Sequence, residues 1–334
     1  MTRRRLSKRQ IERIRAIQER RRERLANRPE QALADCEAEI PPEEGLVVVR
    51  HGASLVVEDH AGELHLCVAR QHLGHPVCGD RVVWQRGEPG RGLVSAILER
   101  QTVLSRPDYS GRDKPIAANL TRLAVLIAPE PEPSGYLVDQ YLVAAEGIGV
   151  EPMLVATKMD LLDAPARAAF EQRYAHYCAI GYRTLWISLE QPETLAPLVE
   201  ALRDQTSILV GQSGVGKSSL VKALLPDRDI QVGRLSAATG LGRHTTSAAS
   251  CYRLPGGGVL IDSPGVRSFR LGAIGLAELQ WGFREFRPHL GGCRFANCRH
   301  DQEPGCAIRA AVERGEIAAA RLDNFHHLAR GVSA

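Results

Sequence analysis

Between residues 46 and 98 the hydrophobic positions come in short bursts: "LVVVR", "SLVVE", "LHLCV", "RVVW" and "LVSAIL". Turn formers separate them, among them Asp59-His60-Ala61-Gly62, Cys78-Gly79-Asp80 and "GEPGRG", so each burst is predicted to be a strand. Five strands in so short a span fit a small closed barrel of the OB type, a frequent nucleic-acid platform. Periodicity does not separate that from an SH3-like barrel. From residue 122 the texture changes. "RLAVLIA", "PMLVAT", "RTLWI", "SILV", "YRL" and "GGVLI" read as strands, with helical stretches such as "YLVDQYLVAAEGI" among them. Short apolar strands alternating with helices predict a mostly parallel sheet covered on both faces. Past residue 271 the pattern is helical and loop-like.

Length and composition fit this picture. A chain of 334 residues, 44% hydrophobic and 25% charged, has room for two or three soluble domains. No apolar run approaches the ~20 residues of a membrane span, and the N-terminus lacks the apolar segment of a signal peptide. A cytoplasmic protein without membrane contact is expected. Charge is unevenly placed: residues 1–28 carry 12 Lys/Arg against 3 Glu, a formal +9 in a chain of +4. Such an arm suits an electrostatic partner such as RNA, or is a solvated helix or tail. "DCEAEIPPEEG" then reads as a linker. Of eight cysteines, Cys36, Cys67, Cys78, Cys178 and Cys251 stand singly and read as small buried hydrophobes of a reducing compartment.

"GQSGVGKSS" has the phosphate-loop pattern, entered by the strand "SILV" and left by the helix "SLVKALL". Residues Gly211, Gln212, Ser213, Gly214, Val215, Gly216, Lys217, Ser218 and Ser219 are therefore candidate nucleotide contacts. Backbone N–H groups and the helix dipole face the phosphates. Lys217 supplies charge to the outer phosphates and Ser218 a hydroxyl to Mg²⁺. Downstream, "VLIDSPG" puts Asp262 at a strand end, as a Mg²⁺-linked carboxylate, followed by Gly265 as a γ-phosphate sensor. Between them "TGLGRHTTS" offers Thr245 and Thr246, either of which suits Mg²⁺ in a first switch.

The base is chosen elsewhere. "TKMD" (Thr157, Lys158, Met159, Asp160) follows an apolar strand, and Asp160 is suited to accept from guanine N1–H and the 2-amino group. The stem of Lys158 suits the base plane. Thr157 stands where most GTPases carry Asn, which keeps a hydroxyl and loses an amide. Ser188 and Leu189 in "WISLE" occupy the next strand end, like the loop that meets the guanine oxygen. The base elements precede the phosphate loop, so the order is that of a GTPase opened at a different point, a circular permutation. Val266 stands where Ras-like enzymes carry the water-orienting Gln. His244, beside the switch threonines, is the nearest polar candidate for that role.

Cys293, Cys298, His300 and Cys306 lie within 14 residues and match the ligand inventory of a closed structural zinc site. With no position left open for water, such a site is structural, one Zn²⁺ per chain.

Together "GQSGVGKSSL", "GLGRHTT", "LIDSPGVRSF" and "CRFANCRHDQEPGCAI" resemble the bacterial ribosome small-subunit-dependent GTPase family, RsgA (YjeQ). The resemblance covers nearly the whole chain. It implies a GTPase that binds the 30S subunit and its 16S rRNA in late maturation, with hydrolysis of GTP to GDP stimulated by the particle. It also points to His244 as catalytic. The expected fold is multi-domain: arm and linker over 1–40, OB-like β-barrel over 41–108, circularly permuted α/β P-loop GTPase core over 109–272, and a helical zinc-binding domain over 273–334. A monomer is expected. The competing function is an RNA-binding module using GTP as a structural ligand.

Overall fold

A computed structural model describes residues 41–331 apart from 53, 71–72, 88–90, 108–112, 240–248 and 263–273. The basic arm and Cys36 lie outside the described residues.

The five bursts form β1 (Glu43–His51), β2 (Ser54–Glu58), β3 (Leu64–Ala69), β4 (Arg81–Arg86) and β5 (Arg91–Ile97). After β4 the chain crosses to lay β5 parallel to β3, and β1 pairs with both β2 and β4. That closes the ring β1-β2-β3-β5-β4 as an OB-type barrel. Its interior holds Val47, Leu55, Val57, Cys67, Val82, Trp84 and Val94. A barrel this narrow accommodates the fully buried Trp84 because Gly45 and Gly92 flank it. A Cβ on Gly45 would come within 2.9 Å of the indole nitrogen, and one on Gly92 within 2.7 Å of a ring carbon.

Two β6–β7 strands follow, β6 (Val103–Pro107) and β7 (Asp113–Ala118), paired as a separate hairpin. Its strands carry Pro107, Pro115 and several charges, so they lack the apolar run that marks the other strands.

The core proceeds as β8 (Arg122–Ile127), α1 (Gly135–Gly147), β9 (Glu151–Ala156), α2 (Ala164–Ala179), β10 (Arg183–Trp186), α3 (Ala196–Leu202) and β11 (Thr206–Gly211). It continues with α4 (Lys217–Leu224), α5 (Arg228–Thr239), β12 (Ala249–Arg253) and β13 (Val259–Asp262). The strands lie in the order β10-β9-β8-β11-β13-β12, all parallel except β12. Both faces are buried, which is why these strands read as unbroken apolar runs. Leu123, Val125 and Ile127 of β8 enter one core, while Ala124 and Leu126 enter the other. β1 joins the barrel to this sheet, setting Val49 opposite Ser250 and Arg50 opposite Ala249. A register shift between Val47 and Val49 accompanies the change of side: Val47 faces the barrel, while Val48 and Val49 belong to the larger core.

The C-terminal part contains α6 (Leu276–Trp281), a 3₁₀ segment (Arg284–His289), α7 (Ala307–Glu313) and α8 (Ala319–Ala329). Phe283, Phe286, Ile308 and Phe325 form its apolar centre with Cys298, Cys306 and Val143 of α1. Its seam with the core is charged. Arg321 is buried and pairs with Asp139 of α1 and, through two nitrogens, with Glu285. Tyr177 and Asn324 also donate to Asp139, at 2.6 and 2.7 Å. Arg284 and Arg287 both reach Glu146. Among the described residues no helix is long and apolar enough to cross a membrane. Cys67, Cys78 and Cys251 are buried as expected, but Cys178 is exposed, because its position on α2 faces away from the sheet.

Candidate functional site

The central strand β11 leaves the sheet at Gly211, whose φ of 140° and 2.5 Å approach of a would-be Cβ to the Leu126 carbonyl oxygen admit only glycine. The loop ends at Gly216, the N-cap of α4, at φ 88°. Leu220, Val221 and Leu224 bury one side of α4 against the sheet, while Ser213, Gly214, Ser218 and Ser219 stay at the surface. The helix N-terminus is thereby aimed at solvent with its N–H groups and dipole available to an anion. Lys217 Nζ donates to the carbonyls of Gly211 at 2.6 Å and Gln212 at 2.5 Å, so its charge is held over the loop.

The loop after β9 lies beside it. Thr157 is buried; its N–H donates to Ile127 O at 2.9 Å and its hydroxyl to Val215 O at 2.7 Å. Lys158 adopts φ 57° and extends Nζ to Glu130 O at 2.9 Å. Met159 is buried and anchors the turn, leaving Asp160 exposed. Ser188 at the end of the next strand donates its hydroxyl to Asp160 Oδ1 and accepts from the Glu190 N–H at 3.1 Å. Thr194 locks that second loop by accepting from the Ser188 N–H and donating to Gln191 O. Leu189 is half-buried beside it.

Asp262 ends β13, and its Oδ2 accepts from Arg228 Nη2 at 3.0 Å. Its carboxylate and the Ser218 hydroxyl are hard oxygen donors of the kind Mg²⁺ takes. His244, Thr245, Thr246, Gly265 and Val266 lie outside the described residues.

At the other end of the chain, the ligand atoms of Cys293, Cys298, His300 and Cys306 all lie within 4.8 Å of one another. His300 turns Nδ1 towards Cys293 Sγ at 3.6 Å and Cys306 Sγ at 3.4 Å, and the two sulfurs are 4.0 Å apart. A tetrahedral zinc with Zn–S near 2.3 Å separates its sulfurs by about 3.8 Å, so the cluster fits that ion. Burial lowers the His300 pKa, which keeps the ring in the neutral, ligating form. Burial pushes the Cys298 thiol up to about 12; a metal that takes the thiolate must displace that proton. Gln280 contacts His300 Nε2 at 3.0 Å and orients the ring from behind.

Several of these contacts had no local signal. Arg228, which meets Asp262, and Thr194, which holds Ser188, belong to no motif, and the bond from Ser188 to Asp160 joins two motifs 28 residues apart.

A parallel sheet with its phosphate loop after the central strand, opened so that the strands β8, β9 and β10 precede that loop, is the fold of a circularly permuted P-loop GTPase. The family model of the RsgA GTPase matches residues 97–272. The chain is 46% identical over 334 residues to the small ribosomal subunit biogenesis GTPase RsgA of Azotobacter vinelandii, covering 98% of this chain and 97% of that one. It is 43% identical to the protein of the same name from Pseudomonas aeruginosa, covering 98% and 97%. The crystal structure of YjeQ from Thermotoga maritima superposes with a TM-score of 0.72 at 32% identity, over 86% of this chain and 97% of that one. That of YloQ, a circularly permuted GTPase, gives 0.69 at 28% identity, over 89% and 97%. The chain belongs to the RsgA GTPase family.

Proposed function

We propose that this GTPase acts in biogenesis of the small ribosomal subunit: it binds the 30S particle and its 16S rRNA in late maturation and hydrolyses GTP to GDP and phosphate when stimulated by that particle. Relatives named small ribosomal subunit biogenesis GTPase support the reading. The single observation that carries the nucleotide site is the hydrogen bond from Thr157 to Val215 O, which sets a base-reading loop against a phosphate loop.

In this reading Gly211 to Ser219 cradle the phosphates, with Lys217 stabilising charge on the transferring group. Asp160 reads guanine, Lys158 lies along the base, and Thr157, Met159, Ser188 and Leu189 shape the pocket. Ser218, Asp262 and Thr245 or Thr246 hold Mg²⁺, which supplies charge neutralisation at the phosphates. Gly265 senses the γ-phosphate and His244 orients the attacking water. Cys293, Cys298, His300 and Cys306 hold one Zn²⁺, which contributes folding free energy to the C-terminal domain. The basic arm over 1–28, within the arm and linker of 1–40, adds electrostatic attraction to rRNA. The barrel over 41–108, the core over 109–272 and the domain over 273–334 work as a cytoplasmic monomer.

The deciding experiment compares hydrolysis of GTP and ATP with and without purified 30S subunits. GTP turnover that rises with the particle is expected. Binding of GTP without turnover, particle present, leaves an RNA-binding module with GTP as a structural ligand; equal turnover of ATP discards the role of Asp160.

A further inference from the structure

We propose that Arg228 is an internal counter-ion of Asp262 that Mg²⁺ must displace, so that this arginine sets the divalent-ion requirement of nucleotide binding. The inference rests on the reading of Asp262 as a Mg²⁺-linked carboxylate. Arg228 opens α5 and places Nη2 3.0 Å from Asp262 Oδ2. Its guanidinium lies 5.4 Å from the centre of the Tyr252 ring. Tyr252 sits on β12 opposite Leu260 of β13, the strand that ends in Asp262. The arginine is thus held by a helix start, an aromatic face and the carboxylate itself, and its reach is set by regular elements rather than by a free side chain.

A guanidinium and Mg²⁺ are both cations drawn to one carboxylate. While Arg228 stays in place it repels the ion, and when the ion binds the pair must open. Both routes lower the affinity for Mg²⁺. The side chains are 23% and 37% exposed, so solvent screens the pair and the effect is modest, roughly tenfold.

The test is the binding of a fluorescent GDP analogue to the full-length protein across free Mg²⁺ concentrations. Arg228→Gln and Arg228→Met, the second keeping the aliphatic packing against Tyr252, are each expected to shift the Mg²⁺ midpoint to roughly tenfold lower concentration. Arg228→Lys keeps the charge and is expected to stay near wild type. A midpoint that is unmoved or raised in both folded variants, with Mg²⁺-dependent binding in wild type, overturns the inference alone. Wild-type affinity that ignores Mg²⁺ overturns the reading of Asp262 and the inference with it.

Discussion

The Thr157 hydroxyl donates to the Val215 carbonyl at 2.7 Å, and that one bond ties the loop leaving β9 to the loop leaving β11. The Thr157 N–H meanwhile holds the end of β8, the strand between them, through Ile127 O. A hydroxyl has a single proton, so its 3.2 Å approach to Ile127 O is secondary to the shorter contact. The threonine therefore braces the two loops with one donor. In Thr157→Val the buried Val215 carbonyl loses its partner, at a cost of about 1–3 kcal/mol. GTP affinity is expected to fall about tenfold in calorimetric titration, with Thr157→Ser near wild type. Unchanged affinity in the valine variant would show that the brace plays no part in binding.

Asp160 receives its orientation from Ser188. Ser188→Ala removes one hydrogen bond to a charged oxygen, worth about 1.5–3 kcal/mol at most, and is expected to weaken GTP binding while keeping the preference for guanine. Asp160→Asn presents a donor where guanine also has one, so it is expected to weaken GTP more and to relax discrimination against xanthosine nucleotides. Competition titrations with both nucleotides check this; equal base preference in wild type and Asp160→Asn removes the carboxylate from base reading.

His244→Ala is expected to cut turnover at least tenfold with GTP affinity nearly intact, because the role proposed for it is to orient water rather than to bind the ground state. Single-turnover hydrolysis beside equilibrium binding separates the two. A loss of affinity equal to the loss of rate rules out the water-orienting role.

Metal analysis tests the cysteine cluster. About one zinc per chain is expected in wild type, and well below that in Cys298→Ser, whose C-terminal part should become sensitive to protease while the core still binds GTP. The sheet keeps its own apolar cores, which is why the two outcomes separate. Wild-type protein prepared without chelators and found free of zinc refutes the site.

Arg321→Met leaves Asp139 and Glu285 buried without their counter-charge, and breaking such a network costs about 3–5 kcal/mol. A fall in Tm of several degrees is expected by calorimetry. Replacing all three residues with Asp139→Leu, Glu285→Leu and Arg321→Met should recover part of it, since apolar packing often equals a buried ion pair while Tyr177 and Asn324 lose their acceptor. A single variant as stable as wild type would mean that water reaches the seam.

The chemistry that contiguous residues carry was legible along the chain. The phosphate loop needs glycines, a lysine and a hydroxyl within one strand-turn-helix, and a zinc knuckle needs its donors close in the chain; both are written locally. The same holds for the alternation of short apolar strands and helices, because burial on both faces leaves an unbroken apolar run in each strand such as β8. How the pieces meet depends on contacts between residues distant in the chain. Thr157 and Val215 are 58 residues apart, Arg228 and Asp262 34, Asp139 and Arg321 182, and no periodicity along the chain encodes which strand ends lie side by side. The hairpin of β6 and β7 was illegible for the opposite reason, its prolines and charges masking strands that pair with each other and meet the rest of the fold through a bridge from Ala117 to Cys78. The OB-type closure depended likewise on β5 reaching β3, a choice made by hydrogen bonding across the ring and by Gly45 and Gly92 yielding room to Trp84. Composition is a property of positions; pairing is a property of the folded chain, where backbone groups far apart in sequence must find partners before they can be buried.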